Sequence, residues 1–269
     1  MTEKFNAEEA IITMKRFITG QMLRSGLSGY VVGLSGGIDS ALSATLAVAA
    51  VGKEKVFGVL MPYKTSSESS VVDAMELVNK LGIGYEKVDI SPMIDAYFPA
   101  IDEEVQLRAG NKMARERMSI LFDIAFKMQR LVLGTGNRTE IALGYTTLFG
   151  DAACSINPIG ELYKTEVRQI SKIVGVPESI INKPPSADLW VGQTDEAEIG
   201  VSYTQIDSLL KKIVDEQVVS MSALEEAGFN SPDISRVVSM LNRNAFKRNL
   251  PPVTPLGRCA VPDAVQLQD

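Results

Sequence analysis

Residues 30–51 read YVVGLSGGIDSALSATLAVAAV, and this stretch decides the fold. Tyr30 to Leu34 is apolar and rich in valine, which predicts a buried strand. Ser35 to Ile38 contains two adjacent glycines and predicts a tight loop. Asp39 to Val51 is rich in alanine and predicts a helix. A strand that leads through a glycine loop directly into a helix is typical of α/β proteins.

Further strands and helices alternate on both sides of this stretch. Parallel neighbours need a long return connection, usually a helix, so the alternation predicts a parallel sheet flanked by helices. The other predicted strands are Lys55 to Met61, Tyr85 to Ile90 and Arg130 to Gly134, and the predicted helices near them are Asn6 to Gly26, Ser69 to Leu81 and Lys164 to Val174.

Three longer segments complete the predicted organisation. Ser91 to Arg130 holds two helical patterns, and we expect a break between them near residues 109–111. Lys183 to Ile199 is rich in proline, aspartate and glycine without periodicity, which is typical of functional lids. Tyr203 to Lys247 is helical again. We therefore expect residues 1–269 to form one α/β domain with a helical C-terminal segment.

The absence of histidine excludes several kinds of chemistry. The 269 residues include 27 basic and 33 acidic ones, no histidine, and a formal net charge of −6. This chain can build neither a Ser-His-Asp or Cys-His nucleophile system nor an imidazole metal site. The two cysteines, Cys154 and Cys259, are too few for a disulfide framework or a zinc cluster. Catalysis must rely on carboxylates, cations, hydroxyls and backbone amides.

Charge and hydropathy also indicate where the protein works. The acidic balance disfavours nucleic acid as a partner, because nucleic-acid binders carry basic surfaces. Residues Met1 to Glu9 lack the basic and then apolar layout of a signal peptide. The most apolar region, Tyr30 to Gly52, is interrupted by Asp39 and by glycines, which makes it a poor membrane span. We expect a soluble cytoplasmic protein.

The loop from Ser35 to Ser40 predicts an anion site. It fits neither the Walker pattern nor the Gly-x-Gly-x-x-Gly pattern. Its glycines leave the backbone amides accessible, the two serine hydroxyls add donors, and the helix that follows directs its positive end to the same place. Asp39 would repel phosphate, so a divalent cation between the two is indicated. The alternative is a glycine-rich turn in which Asp39 only caps the helix.

The string Ser-Gly-Gly-Ile-Asp-Ser at residues 35–40 resembles the pyrophosphate loop of the ATP pyrophosphatases, which release AMP and pyrophosphate. The loop alone does not choose a family within that superfamily. Six further blocks, in order along the chain, resemble the NAD synthetase family. They are residues 110–118 (GNKMARERM), 133–140 (LGTGNRTE), 144–151 (GYTTLFGD), 164–168 (KTEVR), 185–189 (PSADL) and 192–196 (GQTDE).

This resemblance implies a fold, a cofactor and a set of site residues. The implied fold is a Rossmann-like parallel sheet of the adenine nucleotide alpha hydrolase type. Mg²⁺ is the implied cofactor, held by Asp39 and Glu140, and ATP is a co-substrate. Lys164, which would neutralise phosphates, and Asp151, which would accept a proton from ammonium, are the implied catalytic residues. The positions implied to contact ATP are Gly33, Leu34, Ser35, Gly36, Gly37, Ile38, Asp39, Ser40, Met61, Thr135, Lys164 and Ser186, and those implied to contact deamido-NAD are Arg115, Leu148, Ser155, Phe246 and Lys247.

Three of the dinucleotide positions depart from the family pattern. Leu148 stands where many members have lysine, Ser155 where many have aspartate, and Phe246 where a histidine commonly precedes Lys247. All three belong to the part of the pattern tied to the dinucleotide rather than to ATP. The departures fit either a compensated exchange or a different acceptor.

The implied reaction is the ATP-dependent amidation of deamido-NAD by ammonia, which gives NAD, AMP and pyrophosphate through an acyl-adenylate. A Cys-His-Glu glutaminase cannot be encoded without histidine, so ammonia comes from solution or from a separate glutaminase. The resemblance also implies a homodimer, formed through helices between Ser91 and Arg130. A related enzyme that amidates another carboxylate, and a non-catalytic ATP-binding module, are the alternatives.

Each charged candidate also has an ordinary structural interpretation, because charged helix residues are mostly exposed. Glu140 fits a solvated first helical turn, Lys164 fits a surface pair with Arg168, and Arg115 fits a solvated face. Trp190 in the predicted lid either covers the site or anchors packing. The ordered blocks favour the functional interpretation of the charged residues.

Overall fold

The computed structural model describes residues 5–186, 188–190, 192–254 and 256. Ala187 of the predicted lid and Cys259 lie outside the described residues. In chain order the helices and strands are α1 (Ala7–Ser25), β1 (Tyr30–Gly33), α2 (Ile38–Val51), β2 (Val56–Leu60), α3 (Glu68–Leu81), β3 (Gly84–Lys87), α4 (Ser91–Tyr97), α5 (Gln106–Met128), β4 (Leu131–Val132), α6 (Arg138–Leu143), α7 (Lys164–Val174), α8 (Glu178–Asn182), α9 (Asp195–Ile199), α10 (Tyr203–Leu210), α11 (Met221–Glu226) and α12 (Ser231–Arg243).

A four-stranded parallel sheet in the order β3-β2-β1-β4 confirms the predicted α/β architecture. Strand β1 is an inner strand and pairs Tyr30 with Val56 on one side and with Leu131 on the other. Side chains alternate across this strand. Tyr30 and Val32 join an apolar cluster with α1, α2 and α7, whereas Val31 joins a cluster with α4 and α5. Helices therefore cover both faces, and the carboxyl ends of the strands meet at one edge.

A third apolar cluster joins α6 to the C-terminal helices α10, α11 and α12. Its fully buried members include Leu143 of α6, Ile206 of α10 and Val237 of α12. A π-helical turn, Lys211–Asp215, continues α10. This cluster confirms the predicted helical C-terminal segment and packs it beside α6, the helix that follows β4.

The predicted break near residues 109–111 is wrong, because α5 runs without interruption from Gln106 to Met128. The break in the chain lies earlier, before the start of α5. Gly110 lies inside the helix and packs closely against Leu189: a Cβ at this position would lie 2.9 Å from Leu189 Cδ1, at the flexible end of that side chain. This glycine therefore marks a close contact with the segment that contains Leu189, and it does not mark a turn.

Other boundaries also differ from the prediction. Strand β3 ends at Lys87, earlier than expected, and β4 ends at Val132. The sheet continues past β4 only as a parallel bridge between Leu133 and Ile156. Residues 183–199 were predicted to be irregular, but their last part, Asp195–Ile199, is helical and forms α9. Among the described helices, none combines the length and the apolar character that a membrane crossing requires.

Candidate functional site

A cavity of about 820 Å³ opens at the carboxyl ends of β1, β2 and β4. The loop after β1, one face of α5 and the segment before α9 contribute to its lining. Open α/β sheets bind ligands at this edge. The predicted site residues that line the cavity are Gly33, Leu34, Ser35, Gly36, Gly37, Ile38, Asp39, Ser40, Met61, Thr135, Glu140, Asp151, Lys164, Ser186 and Lys247.

The loop after β1 is organised by its own serine hydroxyls. Ser40 Oγ donates to the Gly37 carbonyl at 3.0 Å, and Ser35 Oγ accepts the Gly37 N–H at 3.2 Å. Gly36 has a φ of +76°, and a Cβ there would lie 2.2 Å from the carbonyl oxygen of Ser70. Helix α2 begins after Gly37 without a side-chain cap, so the N–H groups of its first turn are left for a ligand. The loop and the helix start therefore suit an anion.

Lys164 lies between the two carboxylates that the sequence predicts to bind Mg²⁺. Its Nζ donates to Asp39 Oδ2 at 2.6 Å and to Glu140 Oε1 at 3.0 Å. The lysine side chain is 3% exposed. The three groups come from the first turns of α2, α6 and α7, so three helix starts converge on one charged cluster. We call Asp39, Glu140 and Lys164 the charged cluster.

Burial and charge act in opposite directions on the charged cluster. Burial lowers the pKa of Lys164, but the carboxylates of Asp39 and Glu140 outweigh this effect and hold that pKa above its ordinary value. Burial raises the pKa of Glu140 above its ordinary value, and the charge of Lys164 opposes this only in part. Lys164 is therefore a cation throughout the physiological pH range.

Asn137 holds both carboxylates of the charged cluster in place. Its Nδ2 donates to Asp39 Oδ1 at 2.8 Å. It also caps α6, because its Oδ1 accepts the Glu140 N–H at 3.0 Å and its own N–H donates to Glu140 Oε2 at 3.2 Å. This reciprocal capping box orients the Glu140 side chain. The Asn-x-x-Glu spacing is the sequence signal for such a cap, and the sequence prediction missed it.

The carboxylate oxygens of Asp39 and Glu140 are ligands of the kind that Mg²⁺ binds, the ion that the resemblance implies. This ion is commonly bound by one or two carboxylates, with phosphate and water oxygens completing its shell. In the part of the chain that the structure describes, no group of three or more Asp, Glu, His or Cys side chains is arranged to hold a metal by itself. The two carboxylates already share one cation, the ammonium of Lys164, so the space between them favours positive charge.

Asp151 and Lys247 lie on another wall of the cavity. Asp151 Oδ1 accepts the Thr147 N–H at 2.8 Å. Lys247 Nζ donates to the carbonyls of Gly144 and Thr146 at 2.8 and 2.7 Å. Desolvation raises the pKa of Asp151, while the Thr147 N–H and the charge of Lys247 act against this rise. A carboxylate with a raised pKa is suited to accepting a proton.

The remaining predicted substrate positions, Arg115, Leu148, Ser155 and Phe246, lie outside this cavity. Arg115 is on the exposed face of α5, where its Nε donates to the Leu148 carbonyl at 3.1 Å. Ser155 Oγ accepts the Val132 N–H at 3.0 Å and so extends the edge of β4. Phe246 is 61% exposed. The three departures from the family pattern therefore lie outside the lining of this cavity.

Arg117 lines the cavity and was missed by the sequence prediction. Its Nε donates to the Met61 carbonyl at 3.0 Å. Burial lowers the pKa of Arg117 to about 10, and the charges of Asp188 and Asp151 oppose this. The side chain is thus still protonated at neutral pH. Arg117 ties α5 to Met61 at the end of β2, where the resemblance implies a contact with ATP.

A group of tyrosines and carboxylates beside Lys164 also escaped the prediction. The ring of Tyr203 lies 5.0 Å from Lys164 Nζ, and its hydroxyl donates to Asp195 Oδ2 at 3.0 Å. The Tyr145 hydroxyl donates to Glu198 Oε2 at 2.6 Å. Burial raises the pKa of Tyr203 and that of Asp195. These contacts connect α9 and α10 to the charged cluster, and no local sequence pattern announces them.

The chain and its fold are similar to several known proteins. Residues 10–251 match a family model described as NAD synthase. The NH(3)-dependent NAD(+) synthetase of Fusobacterium nucleatum subsp. nucleatum is 46% identical over 253 residues, which cover 94% of this chain and 98% of that relative. The solved structure of NMN synthetase from Francisella tularensis has a TM-score of 0.80 and 34% identity, covering 93% of this chain and 99% of that one. NH3-dependent NAD synthetase from Campylobacter jejuni in complex with the nitrate ion has a TM-score of 0.79 and 34% identity, covering 93% and 100%.

Proposed function

Because this chain belongs to the NAD synthase family, we propose that the cavity at the sheet edge is where both steps of the family reaction take place. The chain is a ligase that forms a C–N bond: it amidates deamido-NAD with ammonia, and ATP is converted to AMP and pyrophosphate. The observation that carries the assignment of the site is the charged cluster, which lies beside the uncapped start of α2.

In the first step, an oxygen of the nicotinate carboxylate attacks the α-phosphorus of ATP. The bond from this phosphorus to the bridging oxygen breaks, and pyrophosphate leaves with the electron pair. We assign the pyrophosphate to the loop after β1, where the first N–H groups of α2 and the Ser35 hydroxyl are available as donors, while the Ser40 hydroxyl holds the loop through the Gly37 carbonyl. Lys164 neutralises the charge that develops there, which is the usual way in which a fixed cation lowers such a barrier.

The rest of ATP lies along the strand ends in this proposal. The backbone of Met61 contacts adenine, and Arg117 supports that contact because it holds the Met61 carbonyl. Thr135 and Ser186 contact ATP from the two other sides of the cavity. This placement joins the adenine position to the pyrophosphate loop across the ends of β1 and β2.

Asp39 and Glu140 would hold Mg²⁺, and Asn137 orients both carboxylates for it. Bound Mg²⁺ supplies charge neutralisation at the phosphate oxygens. Lys164, whose flexible stem permits it, would contact the phosphates when Mg²⁺ neutralises Asp39 and Glu140. The side chains of these two carboxylates are 18% and 16% exposed, and each would keep a cationic partner.

In the second step, ammonium first loses one proton, and we propose that Asp151 accepts it. The resulting ammonia attacks the acyl carbon, AMP leaves with the electron pair of the acyl–oxygen bond, and the nitrogen gives its second proton to water as the amide forms. Lys183, Leu189 and Trp190 of the predicted lid line the cavity, and we propose that this segment excludes water, which would otherwise hydrolyse the adenylate. Without histidine the chain has no Cys-His glutaminase, so ammonia comes from solution or from a separate glutaminase.

The exposed face of α5 supports a homodimer. Leu107, Phe122 and Phe126 are exposed on this helix, and Phe126 is 88% exposed. Exposed apolar side chains of this size are typical of interaction surfaces. Arg115 lies on the same helix, so the deamido-NAD site would extend from Lys247 in the cavity toward the partner subunit.

The second candidate acceptor is nicotinate mononucleotide. One of the similar solved structures is an NMN synthetase, and Leu148, Ser155 and Phe246 depart from the pattern tied to the dinucleotide. Amidation of nicotinate mononucleotide would give NMN by the same chemistry. This candidate differs from the first only in the acceptor.

A steady-state assay with ATP, Mg²⁺ and ammonium separates these candidates when deamido-NAD, nicotinate mononucleotide and other carboxylates are compared. We expect NAD to form, with the highest kcat/KM for deamido-NAD. Amidation of the mononucleotide without NAD formation at saturating substrates would select the second acceptor. ATP binding without pyrophosphate release for any acceptor would leave only a binding module.

The single-domain organisation over residues 1–269 and the cytoplasmic location stay predictions.

A further inference from the structure

Asp207 of α10 connects the two helices that carry Glu140 and Lys164. Its Oδ1 accepts the Thr139 hydroxyl at 2.6 Å, and its Oδ2 accepts the Thr165 N–H at 2.7 Å. Thr139 immediately precedes Glu140, and Thr165 immediately follows Lys164. Asp207 is only 2% exposed. A single buried carboxylate thus joins the first turns of α6 and α7.

Thr139 makes this connection directional. Its hydroxyl oxygen accepts the Lys164 N–H at 3.0 Å, so its proton is left for Asp207. Both Thr139 and Asp207 are buried, and their hydrogen bonds are shielded from water. A carboxylate accepts at both oxygens, whereas an asparagine in its place would direct an N–H₂ group toward one of the two donors.

Asp215, at the end of the π-helical turn, makes a parallel pair of contacts. Its carboxylate accepts Arg138 Nη2 at 2.6 Å and the Tyr163 hydroxyl at 2.9 Å. These contacts tie the same two helix starts to the segment that follows α10. The Asp215 side chain is 29% exposed, so solvent weakens its contribution relative to that of Asp207.

We propose that Asp207 is a positioning residue for the reaction: it sets the separation of Lys164 and Glu140 by holding the starts of α6 and α7 together. Asp207 does not line the cavity, so it acts only through these helices. The inference rests on the proposed function, because Lys164 and Glu140 are there the phosphate and metal groups. A displacement of about 1 Å in such groups costs on the order of 100-fold in rate.

The test compares Asp207→Asn and Thr139→Val with the control Leu209→Ala. Leu209 is a buried apolar residue of the same helix, and its truncation removes packing without removing any of these hydrogen bonds. We expect kcat of Asp207→Asn to fall roughly 10- to 100-fold, with KM for ATP changed less than about threefold. Leu209→Ala keeps the wild-type kcat at a temperature at which its unfolding curve shows it to be folded, although its Tm is lower.

Thr139→Val gives the same answer if Asp207→Asn fails to fold. Valine keeps the shape of the side chain but lacks the hydroxyl that donates to Asp207 and accepts the Lys164 backbone N–H. We therefore expect the same loss in kcat. Where both single variants fold, the loss in kcat of the double variant should be smaller than the product of the two single losses, since both substitutions remove the hydrogen bond between Thr139 and Asp207. A kcat in either folded single variant within about threefold of the Leu209→Ala value would overturn the positioning role.

A binding measurement separates this inference from the proposed function. Calorimetry with a non-hydrolysable ATP analogue, with and without Mg²⁺, reports how much Mg²⁺ strengthens nucleotide binding. Asp207→Asn, or Thr139→Val in its place, should lose roughly tenfold of that gain, as is common when a residue behind a metal ligand is changed. If the wild type amidates none of the acceptors while this difference remains, the proposed function fails and the role of Asp207 stands. If the wild type forms NAD but the variant and the wild type show the same gain from Mg²⁺, the proposed function stands and the role of Asp207 fails.

Discussion

Lys164 Nζ lies 2.6 Å from Asp39 Oδ2, so residues 125 positions apart in the sequence share one buried ion pair. Glu140 completes the charged cluster at 3.0 Å from the same nitrogen. Buried charges of this kind are tolerated only when they are paired, so each group depends on the other two. The start of α2, the two carboxylates and the lysine are therefore coupled, and removing one member of the charged cluster leaves the others without a partner.

Lys164→Met should lower both kcat and the free energy of unfolding, because it removes the ammonium group from the charged cluster. We expect kcat to fall at least about 100-fold, because a cation aimed at the developing charge is removed. Two buried carboxylates are then left without their partner, at a cost of about 3–5 kcal/mol in the free energy of unfolding. Added Mg²⁺ should raise the Tm of this variant more than that of the wild type. An equal Tm rise in both proteins, measured by thermal unfolding, would contradict a shared cation position.

Asp39→Ala should abolish adenylation and leave the fold intact. Its carboxylate holds Lys164 and accepts from Asn137, and both would lose the partner that the proposed Mg²⁺ also requires. Pyrophosphate release is the measurement, and circular dichroism monitors the fold. Glu86→Ala, an exposed change on the edge strand β3, is the control and should be as active as the wild type. Wild-type pyrophosphate release by Asp39→Ala would refute the metal-ligand assignment.

Gly36→Ala and Gly52→Ala form a matched pair, since both glycines have positive φ but different surroundings. A Cβ at Gly36 would lie 2.2 Å from the Ser70 carbonyl oxygen, whereas one at Gly52 meets nothing within 4 Å. Gly52→Ala should cost about 1–3 kcal/mol through backbone strain alone, because a φ of 88° with a ψ of 152° is a conformation that essentially only glycine adopts. Gly36→Ala should cost at least about 3 kcal/mol, because a backbone clash adds to the same strain.

Denaturant unfolding and ATP titration test this pair. Only Gly36→Ala should also weaken ATP binding, because its loop shapes the pyrophosphate site. Equal losses of stability in the two variants, with ATP affinity kept in both, would show that the close approach to Ser70 has no role.

Phe126→Asp should convert the expected homodimer to a monomer. Phe126 is 88% exposed on α5, and a charge there would be desolvated in an interface that buries this helix. Light scattering at working concentrations measures the mass. Val219→Asp changes a residue that is 85% exposed but lies on another surface, and it should leave the mass unchanged. A monomeric wild type would rule out the interface directly.

Local sequence patterns predicted the sheet and the glycine loop, whereas Glu140 and Lys164 were named as site residues only through the resemblance to the family. The run from Tyr30 to Val51 carries its own strand, loop and helix signals, and the structure confirms all three. Gly110 was misread because a glycine that permits close packing looks the same in sequence as one that ends a helix. Only the approach of Leu189, 79 positions later in the sequence, distinguishes the two cases.

The sequence by itself determined the order of strands and helices, the glycine loop and the supply of carboxylates and cations without histidine, since these depend on neighbouring residues and composition. The tertiary structure decided which charges meet. Asp39, Glu140 and Lys164 lie on three different helices, and Asn137 at the start of α6 and Tyr203 and Asp207 of α10 hold them in place. Their meeting depends on how the helices pack across the sheet, and that packing is set by apolar clusters spread along the whole chain. No local pattern encodes such long-range contacts, because their free energy is gained only when the core forms.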